Sequence, residues 1–508
     1  MKYKRCIILL ADGSKFDVFK ELLDQGSLPN IKQHIVEPGT FTKAVSAFPS
    51  TTGPAHIPFL TGCLPATCNI PGIRWFDRHK YATEGHGSIF SLGAHGRYRS
   101  YVGLETFRIN TDMRSDIYNV FELLPRSYCI FNSINRGVGS RNLTRIMRIW
   151  YWYYGHLTDR WRFVDESAVR KSLRLFDRDF EFLFVVMPAI DEFAHLAHPR
   201  HEATLQQYEA LDGHVGRLVE KLKKTGKWND TLFWIVSDHG LSATHTHFCI
   251  NTFLEKRGIE TFYFPIVFKK KFDAVNMMSG NGMTHLYFKK GSVIASPGGA
   301  KQSPACTCAG WSEPSTLEDI EDMHPGLLDE LLNEEAVDIL AGRDRDGYIV
   351  ARSKRGKARL KLHGDEIEYH VDGTDPFGYE SNVAQDFSPA KCVAQTFRSA
   401  NIGRSKDLRY TIDTDYPDAP YQLAHIFHSP RCGDVILSAK PGFDLRLKYE
   451  DPEHKSSHGS LHREHMIVPL LCNAPLGGRI GRTVDVFPTY LKLMGHSVLE
   501  NIDGESLI

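Results

Sequence analysis

Short runs of apolar residues, each about the length of one strand, recur along the chain and are separated by longer segments with helical periodicity. The densest runs are residues 6–11, 128–131, 182–187, 232–236 and 466–472. Strands that are apolar at every position are typical of parallel sheets, because helices cover both faces of such a sheet. The pattern therefore predicts an α/β fold with a mostly parallel central sheet flanked by helices.

Two segments show the clearest helical pattern. In residues 202–224, apolar side chains recur every three or four positions, which places them on one face of a helix. A second helix is predicted over residues 484–494, with Thr483 as its N-terminal cap and Gly495 at its end. Helices that alternate with strands in this way support the α/β assignment.

A different pattern occupies the section that follows residue 296. A polar stretch leads into an acidic part with helical spacing at 317–340 and then into the alternating segments 348–352 and 366–371, with Gly-containing turns around them. We interpret this section as a smaller α+β cap lobe inserted into the core. The predicted division has three parts: the first part of the core in residues 1–296, the inserted lobe in 297–405 and the C-terminal part of the core in 406–508.

The composition narrows the class of protein. The 508 residues are 42% hydrophobic and 24% charged, and 61 Lys plus Arg balance 61 Asp plus Glu. Without net charge there is no long-range basic field, so no nucleic-acid polymer is implied as a partner. No run of about 18 apolar residues occurs, so no membrane span is predicted.

Cysteine usage and the N-terminus bear on the location of the protein. Ten cysteines are scattered along the chain, with Cys306 and Cys308 as the closest pair and no CxxC repeat, which favours reduced thiols over a disulfide framework. The apolar run at residues 6–11 is shorter than the core of a secretion signal and is followed by Asp12. Together these features predict a cytoplasmic location.

Three acidic residues stand where predicted strands end. Asp12 follows the first run, Asp191 follows FLFVVMPAI, and Asp238 follows LFWIVS. In an open α/β sheet, ligands bind beyond the carboxyl ends of the strands. The three carboxylates are therefore expected to converge, although a helix cap or a loop residue is the simpler interpretation of any one of them alone.

Two histidines accompany these carboxylates. His195 lies four residues after Asp191, so one helical turn brings both side chains to the same side. His239 directly follows Asp238, at a predicted strand end. A ligand set of Asp and His suits zinc, or manganese or iron when oxygen ligands dominate, so this combination predicts a metal site.

The segment FPSTTGPAHIPFLTG places two hydroxyl groups before a predicted helix start. Thr51 and Thr52 directly precede Gly53 and Pro54, and Pro is favoured in the first turn of a helix. Free backbone N–H groups at such a start stabilise a phosphate, and a bound divalent ion would lower the pKa of a hydroxyl beside it. The segment therefore predicts either a nucleophile or an ordinary helix cap.

Taken in chain order, five motifs resemble the alkaline phosphatase superfamily and, within it, the type I phosphodiesterase/nucleotide pyrophosphatase family. The motifs are ADG at Asp12, FPSTTGPAH at Thr52, DEFAH at Asp191, SDHG at Asp238 and HGS at His458. The resemblance covers the chain from residue 1 to about 290 and again from about 430 to 508. It implies an alkaline phosphatase-like core.

The resemblance also implies two metal sites that hold two divalent ions, with zinc preferred and manganese as the alternative. The implied ligands are Asp12, Thr52, Asp238 and His239 for one site and Asp191, His195 and His458 for the other. Thr52 is the implied nucleophile, with Thr51 as the alternative. Four further histidines match no motif and are interpreted as structural or as neighbours of the ligands: His245, His247, His462 and His465.

The activity implied by the resemblance is hydrolysis of a phosphodiester or pyrophosphate bond in a small-molecule phosphate ester, through a phosphothreonine intermediate on Thr52. Asn69 and Arg74 lie near the place where nucleotide pyrophosphatases usually hold a phosphate oxygen, and both are candidate substrate-binding residues. The usual Asn of that family is not matched there, which leaves nucleotide specificity open.

Other interpretations of the chain remain. A phosphomutase, a phosphomonoesterase or a phosphonate hydrolase of the same superfamily would use the same core, and a non-catalytic metal-binding protein that keeps the fold belongs to another class. The aromatic run IWYWYY, residues 149–154, is interpreted either as core packing or as a lid over the substrate. The segment GNGMTHLYF, residues 280–288, is interpreted as a core strand or as part of the rim of the site.

Overall fold

In the computed structural model, two large sheets and two small ones carry the strands. The structure describes residues 3–85, 97–144, 147–266, 269, 271–291, 309–364, 366–379, 400–446 and 453–508. Within those ranges, no helix combines the length and the apolar character that crossing a bilayer requires. The seven cysteines in the same ranges are free thiols, whereas Cys306, Cys308 and Cys392 lie outside the described residues.

The strands of the described residues are, in chain order, β1 (Arg5–Ala11), β2 (Thr40–Val45), β3 (Arg74–Phe76), β4 (Tyr98–Ser100), β5 (Ser127–Ile130), β6 (Phe182–Met187), β7 (Thr231–Val236), β8 (Ser242–His247), β9 (Thr261–Tyr263), β10 (Ala274–Ser279), β11 (Met283–Phe288), β12 (Val337–Arg343), β13 (Ile349–Arg352), β14 (Lys357–His363), β15 (Glu366–Asp372), β16 (Ala400–Gly403), β17 (Val435–Ala439), β18 (Gly442–Asp444), β19 (Ser456–Ser457), β20 (Ile467–Cys472) and β21 (Gly481–Arg482).

The α-helices of the same residues are α1 (Phe16–Asp24), α2 (Pro29–Ile31), α3 (Ile57–Thr61), α4 (Arg78–Glu84), α5 (Ile109–Asp112), α6 (Val120–Leu123), α7 (Met147–Thr158), α8 (Trp161–Leu175), α9 (Ala189–Leu196), α10 (Glu202–Lys224), α11 (Ile250–Lys256), α12 (Leu317–Met323), α13 (Leu327–Asn333), α14 (Arg404–Thr411), α15 (Ala419–Ile426), α16 (Arg463–Met466) and α17 (Val486–Leu493).

The first large sheet is the predicted central sheet. Among the described residues its strand order is β21-β2-β20-β7-β1-β6-β5, and β5, β6, β1 and β7 run parallel to one another. All five predicted buried strands belong to it, and their observed ends differ from the predicted ones by at most one residue. Strands β1, β6 and β7 are buried almost throughout, because the hydrophobic core covers both faces of the sheet.

The second large sheet forms the additional lobe. Its order among the described residues is β16-β15-β14-β13-β12-β17-β11-β10-β9, with mainly antiparallel pairing. In β12, Ile339 and Ala341 pack into one hydrophobic cluster and Leu340 into another. This alternation shows that both faces of the sheet are covered.

The lobe is not confined to the predicted insertion. Its sheet takes strands from residues 261–288, 337–403 and 435–439, so all three predicted segments contribute to it. The predicted boundary between residues 296 and 297 lies outside the described residues, and the one between 405 and 406 falls inside α14. The three-part division therefore stays a prediction about segments of the chain.

Two helix predictions need correction. The acidic part at 317–340 is not one helix but α12, α13 and then strand β12. Pro325 lacks the backbone N–H of a continuing helix and Gly326 has a φ of 77°, so the first helix stops and a second one begins. The predicted segment 484–494 starts with a 3-10 turn, Thr483–Asp485, before α17.

The predicted capping role of Thr483 is wrong. Among the described residues, its Oγ1 atom is buried without a hydrogen-bond partner. Asp485 instead accepts a hydrogen bond from the backbone N–H of Arg482 at 2.8 Å through Oδ2. The carboxylate therefore satisfies a backbone donor at this helix start.

Candidate active site

The three predicted acidic residues meet at one edge of the central sheet. Asp12 follows β1, Asp238 follows β7, and Asp191 lies in α9, which follows β6. Because β6, β1 and β7 are neighbours and parallel, their carboxyl ends share that edge. All three side chains are buried, as a site that holds charged ligands away from bulk water requires.

One cluster of ligand-type atoms consists of Asp12, Asp238 and His56, whose atoms lie within 4.8 Å of one another. His56 Nε2 is 3.1 Å from Asp238 Oδ2, and its Nδ1 is 2.9 Å from Oδ1 of Asn132. The backbone N–H of Gly13 donates to the other oxygen of Asp238 at 3.3 Å. Sequence analysis did not identify His56, although it stands four residues after Thr52 in the same segment.

A second cluster consists of Asp191, His239 and His458, again with ligand-type atoms within 4.8 Å of one another. The rings of His239 and His458 are stacked, with centroids 3.8 Å apart and planes 9° apart. His239 Nε2 also lies 3.5 Å from Asp12 Oδ1 and 3.5 Å from Asp238 Oδ2. His239 therefore stands between the two clusters, which form one continuous site.

His195 joins the second cluster through the helical spacing that the sequence predicts. It shares α9 with Asp191, and its Nε2 is 3.4 Å from Asp191 Oδ2. The Nδ1 atom lies 2.9 Å from the carbonyl oxygen of Ser456, which fixes the orientation of the ring. Its ring centroid is 5.3 Å from that of His458. The seven predicted ligand residues are thus brought together in the structure.

Thr52 faces the site at the start of a short helical segment. Its Oγ1 lies 3.0 Å from His239 Nε2 and 3.4 Å from Asp12 Oδ1. Gly53 has a φ of 92°, a conformation that favours glycine, and it precedes the 3-10 turn Pro54–His56, which leads into α3. Thr52 is half-buried whereas Thr51 is buried, so Thr52 is the more accessible hydroxyl.

The crowding of carboxylates and imidazoles changes their pKa values. Burial raises the pKa of Asp12 well above its usual range, and the nearby Asp238 and Asp191 carboxylates raise it further. Burial also acts to raise the pKa of Asp238, but the His239 and His56 imidazoles outweigh it and hold that pKa well below the usual range. The first cluster thus combines an acid that resists ionisation with one that ionises readily.

The two histidines of the second cluster shift in opposite directions. Burial lowers the pKa of His195, but the adjacent Asp191 carboxylate raises it more, to about 9. Burial, together with the His239 and His195 rings, lowers the pKa of His458 well below its usual value. A neutral imidazole such as that of His458 is the form that binds a metal.

The donor set fits divalent cations. Among the described residues, Asp191 Oδ1 is buried and has no hydrogen-bond partner, which is costly unless a cation or another donor contacts it. Buried carboxylate oxygens next to imidazole nitrogens are the usual ligands of zinc and also suit manganese. The two clusters are therefore candidate metal-binding sites, and the buried Oδ1 of Asp191 is available to contact a cation.

The other histidines near the site have structural contacts. His465 is buried, with Nε2 2.8 Å from the hydroxyl of Ser242 and Nδ1 2.7 Å from that of Ser460. His462 caps α16, where its Nδ1 accepts a hydrogen bond from the backbone N–H of Glu464. These contacts agree with the structural interpretation of the two residues.

The two predicted substrate-binding residues contact other parts of the protein. Asn69 Oδ1 accepts a hydrogen bond from the hydroxyl of Ser429 at 2.8 Å. Arg74 donates from Nε to the hydroxyl of Ser100 and from Nη1 to the carbonyl oxygen of Met278, and its guanidinium lies 4.7 Å from the ring centroid of Phe264. A role for either residue in binding substrate stays a prediction.

The fold and the site define the class first: an alkaline phosphatase-like core with candidate metal-binding clusters at the carboxyl ends of its strands. The family model described as type I phosphodiesterase / nucleotide pyrophosphatase matches residues 6–302. Because this match spans more than half of the 508 residues, the chain belongs to that family. The predicted family and fold class are confirmed.

Solved structures with a similar fold include two kinds of hydrolytic enzyme. Murine ectonucleotide pyrophosphatase/phosphodiesterase 5 is 12% identical, with a TM-score of 0.54 and coverage of 97% of this chain and 96% of that chain. An inactive threonine-to-alanine variant of the murine protein, in complex with AMP, is 11% identical, with a TM-score of 0.53 and coverage of 98% and 96%.

The second kind is phosphonoacetate hydrolase from Sinorhizobium meliloti 1021, in complex with phosphonoformate. It is 13% identical, with a TM-score of 0.53 and coverage of 97% of this chain and 96% of that chain. At such identities the likeness concerns the fold alone. Among curated proteins, none is significantly similar to this chain.

Proposed function

We propose that this chain is a metal-dependent hydrolase that cleaves phosphodiester or pyrophosphate bonds through a phosphothreonine intermediate on Thr52. The observation that carries the proposal is the position of Thr52 Oγ1, 3.0 Å from His239 Nε2 and 3.4 Å from Asp12 Oδ1. A hydroxyl that is half-buried among ligand-type side chains, at the start of a helical segment, is suited to attack a bound phosphoryl group.

Two divalent ions are expected in this site, zinc by preference or manganese. We assign the ligands as Asp12, Thr52, Asp238 and His239 for one ion and Asp191, His195 and His458 for the other. When bound, such ions supply positive charge that lowers the pKa of hydroxyl groups and stabilises the charge of a transferring phosphoryl group. The unpaired Oδ1 of Asp191 supports this assignment.

The protein's own contribution to the reaction is positioning. The turn at Gly53 and Pro54 directs the Thr52 hydroxyl into the site, where it faces Asp12 and His239. In the first step, a bond forms between Thr52 Oγ1 and phosphorus while the bond from phosphorus to the leaving oxygen breaks. The Thr52 proton passes overall to the leaving oxygen. Water then adds to the phosphorus while its bond to Thr52 Oγ1 breaks, so the phosphate product leaves and a proton from the water restores the hydroxyl.

The structural relatives support this chemistry and one alternative. The murine relative crystallised with AMP is an inactive threonine-to-alanine variant, which agrees with a threonine nucleophile here. The phosphonoacetate hydrolase relative keeps phosphonate hydrolysis open as a second candidate function. A phosphomonoesterase, a phosphomutase and a non-catalytic metal-binding protein are the remaining alternatives.

The test is a substrate panel with matched threonine variants. Zinc-loaded protein is assayed with bis-p-nitrophenyl phosphate, a nucleoside triphosphate, p-nitrophenyl phosphate, phosphonoacetate and a sugar phosphate. Thr52→Ala is expected to lower kcat at least about 1000-fold while metal content stays nearly the same, because Asp12, Asp238 and His239 remain as ligands, and Thr51→Ala is expected to keep most of the activity. Full activity of Thr52→Ala would reject the covalent scheme, and inactivity of the unmodified protein on every ester would reject the hydrolase assignment.

A cytoplasmic location is also part of the proposal. The free thiols of the described cysteines agree with it, because disulfides are rare in that compartment. Cell fractionation followed by detection of the native protein decides the question, since recovery from the culture medium or the periplasm would contradict it.

A further inference from the structure

Arg148 is a buried cation that forms no ion pair with a carboxylate of the described residues. It lies in α7, directly before the aromatic run, and only 8% of its surface is exposed. Its Nε donates to the carbonyl oxygen of Phe131 at 2.7 Å, and its Nη1 donates to Oγ1 of Thr106 at 3.3 Å. In the part of the chain that the structure describes, no carboxylate forms an ion pair with its guanidinium, and Nη2 has no hydrogen-bond partner.

A buried charge without a direct ion pair is costly, so its presence calls for an explanation. Burial lowers the pKa of Arg148 to about 10, although the Asp12 and Glu192 carboxylates act to raise it, and this pKa leaves the group charged near neutral pH. Neither carboxylate is close enough to form an ion pair with the guanidinium. The ring of Trp152, with its centroid 4.1 Å from the guanidinium, provides a cation–π contact that stabilises the charge only in part. The missing partner is therefore expected to be an anion that enters from outside the chain.

The contacts of Arg148 place it beside the candidate active site. Phe131, whose carbonyl oxygen it binds, is followed by Asn132, and Asn132 contacts His56, which contacts Asp238. At the other end of α7, His156 Nδ1 lies 4.0 Å from Oε2 of Glu192, the neighbour of Asp191. The helix that carries Arg148 is therefore linked to the first cluster through Phe131 and Asn132 and to the chain neighbour of Asp191 through His156.

The backbone around Phe131 is arranged to hold the guanidinium in place. Phe131 has a φ of 61°, which is rare and unfavourable for a bulky residue and is kept only where the surroundings enforce it. Its N–H donates to Thr144 Oγ1 at 2.9 Å while its carbonyl oxygen accepts from Arg148. Such local strain is typical of sites at which a side chain is oriented for a ligand.

We propose that Arg148 binds an anionic oxygen of the substrate next to the two metal sites, so that the enzyme favours esters with at least two negative charges over singly charged diesters. This inference rests on the proposed function, because it assigns the substrate class of that same site. The class comprises diphosphate bonds, as in a nucleoside triphosphate, and doubly charged monoesters. In a doubly charged monoester, both charges lie on the phosphoryl group that is transferred. In a diphosphate, the second charge lies on the neighbouring phosphate.

The test compares substrates of different charge in Arg148→Gln and Arg148→Lys. Arg148→Gln is expected to lower kcat/KM roughly 10- to 100-fold for a nucleoside triphosphate or for p-nitrophenyl phosphate, the range for losing a hydrogen bond to a charged group. For bis-p-nitrophenyl phosphate, which carries one charge, the change is expected to stay within about threefold. Arg148→Lys keeps the charge without the planar fork, so an intermediate loss is expected.

Arg160 offers a matched control. It is exposed just after α7, where its Nη1 donates to the hydroxyl of Tyr154 at 3.2 Å. Arg160→Gln removes a positive charge from the same region without touching the site, so all substrates are expected to keep their kcat/KM. A loss in this variant equal to that of Arg148→Gln would show a general effect of charge near the site and would overturn the proposal.

Binding of inorganic phosphate to zinc-loaded protein, measured by titration calorimetry, decides the inference independently of turnover. The Kd of phosphate is expected to rise at least about tenfold in Arg148→Gln and to stay unchanged in Arg160→Gln. An unchanged Kd in Arg148→Gln, or equal losses on singly and doubly charged esters together with a lower Tm, would mean that Arg148 is structural. A third outcome is that the unmodified protein is inactive but its phosphate Kd still depends on Arg148. That result would reject the proposed hydrolysis and retain the anion-binding site.

Discussion

His56 is expected to orient Asp238 in the first cluster, and Asn132 is expected to orient His56. Asn132 Nδ2 donates to the carbonyl oxygen of Ile134, so its Oδ1 faces Nδ1 of His56 and the His56 Nε2 atom is directed at Asp238. Groups that orient a metal ligand in this way typically account for 10- to 100-fold in metal affinity or activity. We predict that His56→Ala lowers kcat/KM by roughly that factor, measured together with the zinc Kd.

His285 is the control for this prediction. It is also buried, but its Nε2 contacts the carbonyl oxygen of Pro71 and its Nδ1 accepts from the backbone N–H of Gly433. His285→Ala is expected to lower the Tm without changing the zinc Kd. If both variants lose zinc affinity to the same extent, the effect of His56 is one of general packing and the positioning role is wrong.

Asp191 is predicted to be essential for one of the two ions. Its Oδ1 lacks a hydrogen-bond partner among the described residues, and His195 depends on its carboxylate for the raised pKa of about 9. Asp191→Ala is expected to reduce bound zinc from about two equivalents to about one, measured by elemental analysis after gel filtration. Two equivalents in this variant would exclude Asp191 from the ligand set.

At the scale of residues, the sequence predicted the site residues whose positions follow from spacing or from their place at a strand end. Asp191 and His195 are one helical turn apart, and Asp12 and Asp238 stand at strand ends, so local pattern was sufficient. His56 and Arg148 were not found. The role of His56 depends on a side chain that is distant in sequence, and the role of Arg148 depends on the lack of a paired carboxylate. Neither property can be read from spacing along the chain.

At the scale of elements, the turn between β10 and β11 is predicted to hold His458 in place. Gly280 has a φ of 64°, and a Cβ atom there would lie 2.6 Å from Nδ1 of His458. Gly280→Ala should therefore displace the imidazole as well as strain the backbone, and we predict the loss of about one zinc equivalent and at least a tenfold loss in kcat/KM.

Gly347→Ala separates displacement from strain. Gly347 also has a positive φ, 81°, but a Cβ atom there would meet no atom within 4 Å. This variant is expected to lose some Tm and to keep its zinc content. If Gly280→Ala binds two equivalents of zinc and Gly347→Ala does the same, the hairpin does not position His458.

The elements themselves were predictable to different extents. Parallel strands that are apolar throughout, such as β6, were predictable because an apolar run of strand length is too short for a buried helix. The acidic section at 317–340 was predicted as helical because its charges and leucines have helical spacing on both sides of residue 325. The Pro325-Gly326 step ends the first helix, because proline and a glycine with positive φ interrupt a helix even where the periodicity continues.

At the scale of the whole molecule, the site depends on both large sheets. Asp12, Asp191 and Asp238 follow strands of the central sheet, whereas the turn after β10 in the second sheet abuts His458. Sequence analysis did not predict this sheet order, because β17 pairs with β11 and β12 across long stretches of chain. Pairing between such distant strands is set by the packing of the complete fold and leaves no local pattern.

Bound metal is predicted to stabilise the whole molecule. Without cations, three buried carboxylates stand close together, and the raised pKa of Asp12 reflects its burial and their repulsion. A ligand that binds only the folded state at about 100 times its Kd adds about 2.7 kcal/mol to the free energy of unfolding. Chelator-treated protein is therefore expected to unfold at a clearly lower temperature than protein restored with zinc, as measured by calorimetry.

The Asp191→Ala variant provides the internal control for that measurement, because it is expected to keep one of the two sites. Its zinc-dependent rise in Tm should be about half that of the unmodified protein, since each occupied site contributes its own binding free energy. An equal rise in both proteins would place the stabilising zinc outside the second cluster. If zinc is taken up but the Tm of the unmodified protein does not rise, the folded and unfolded chains bind zinc equally well. The clusters at the sheet edge would then not be the metal site.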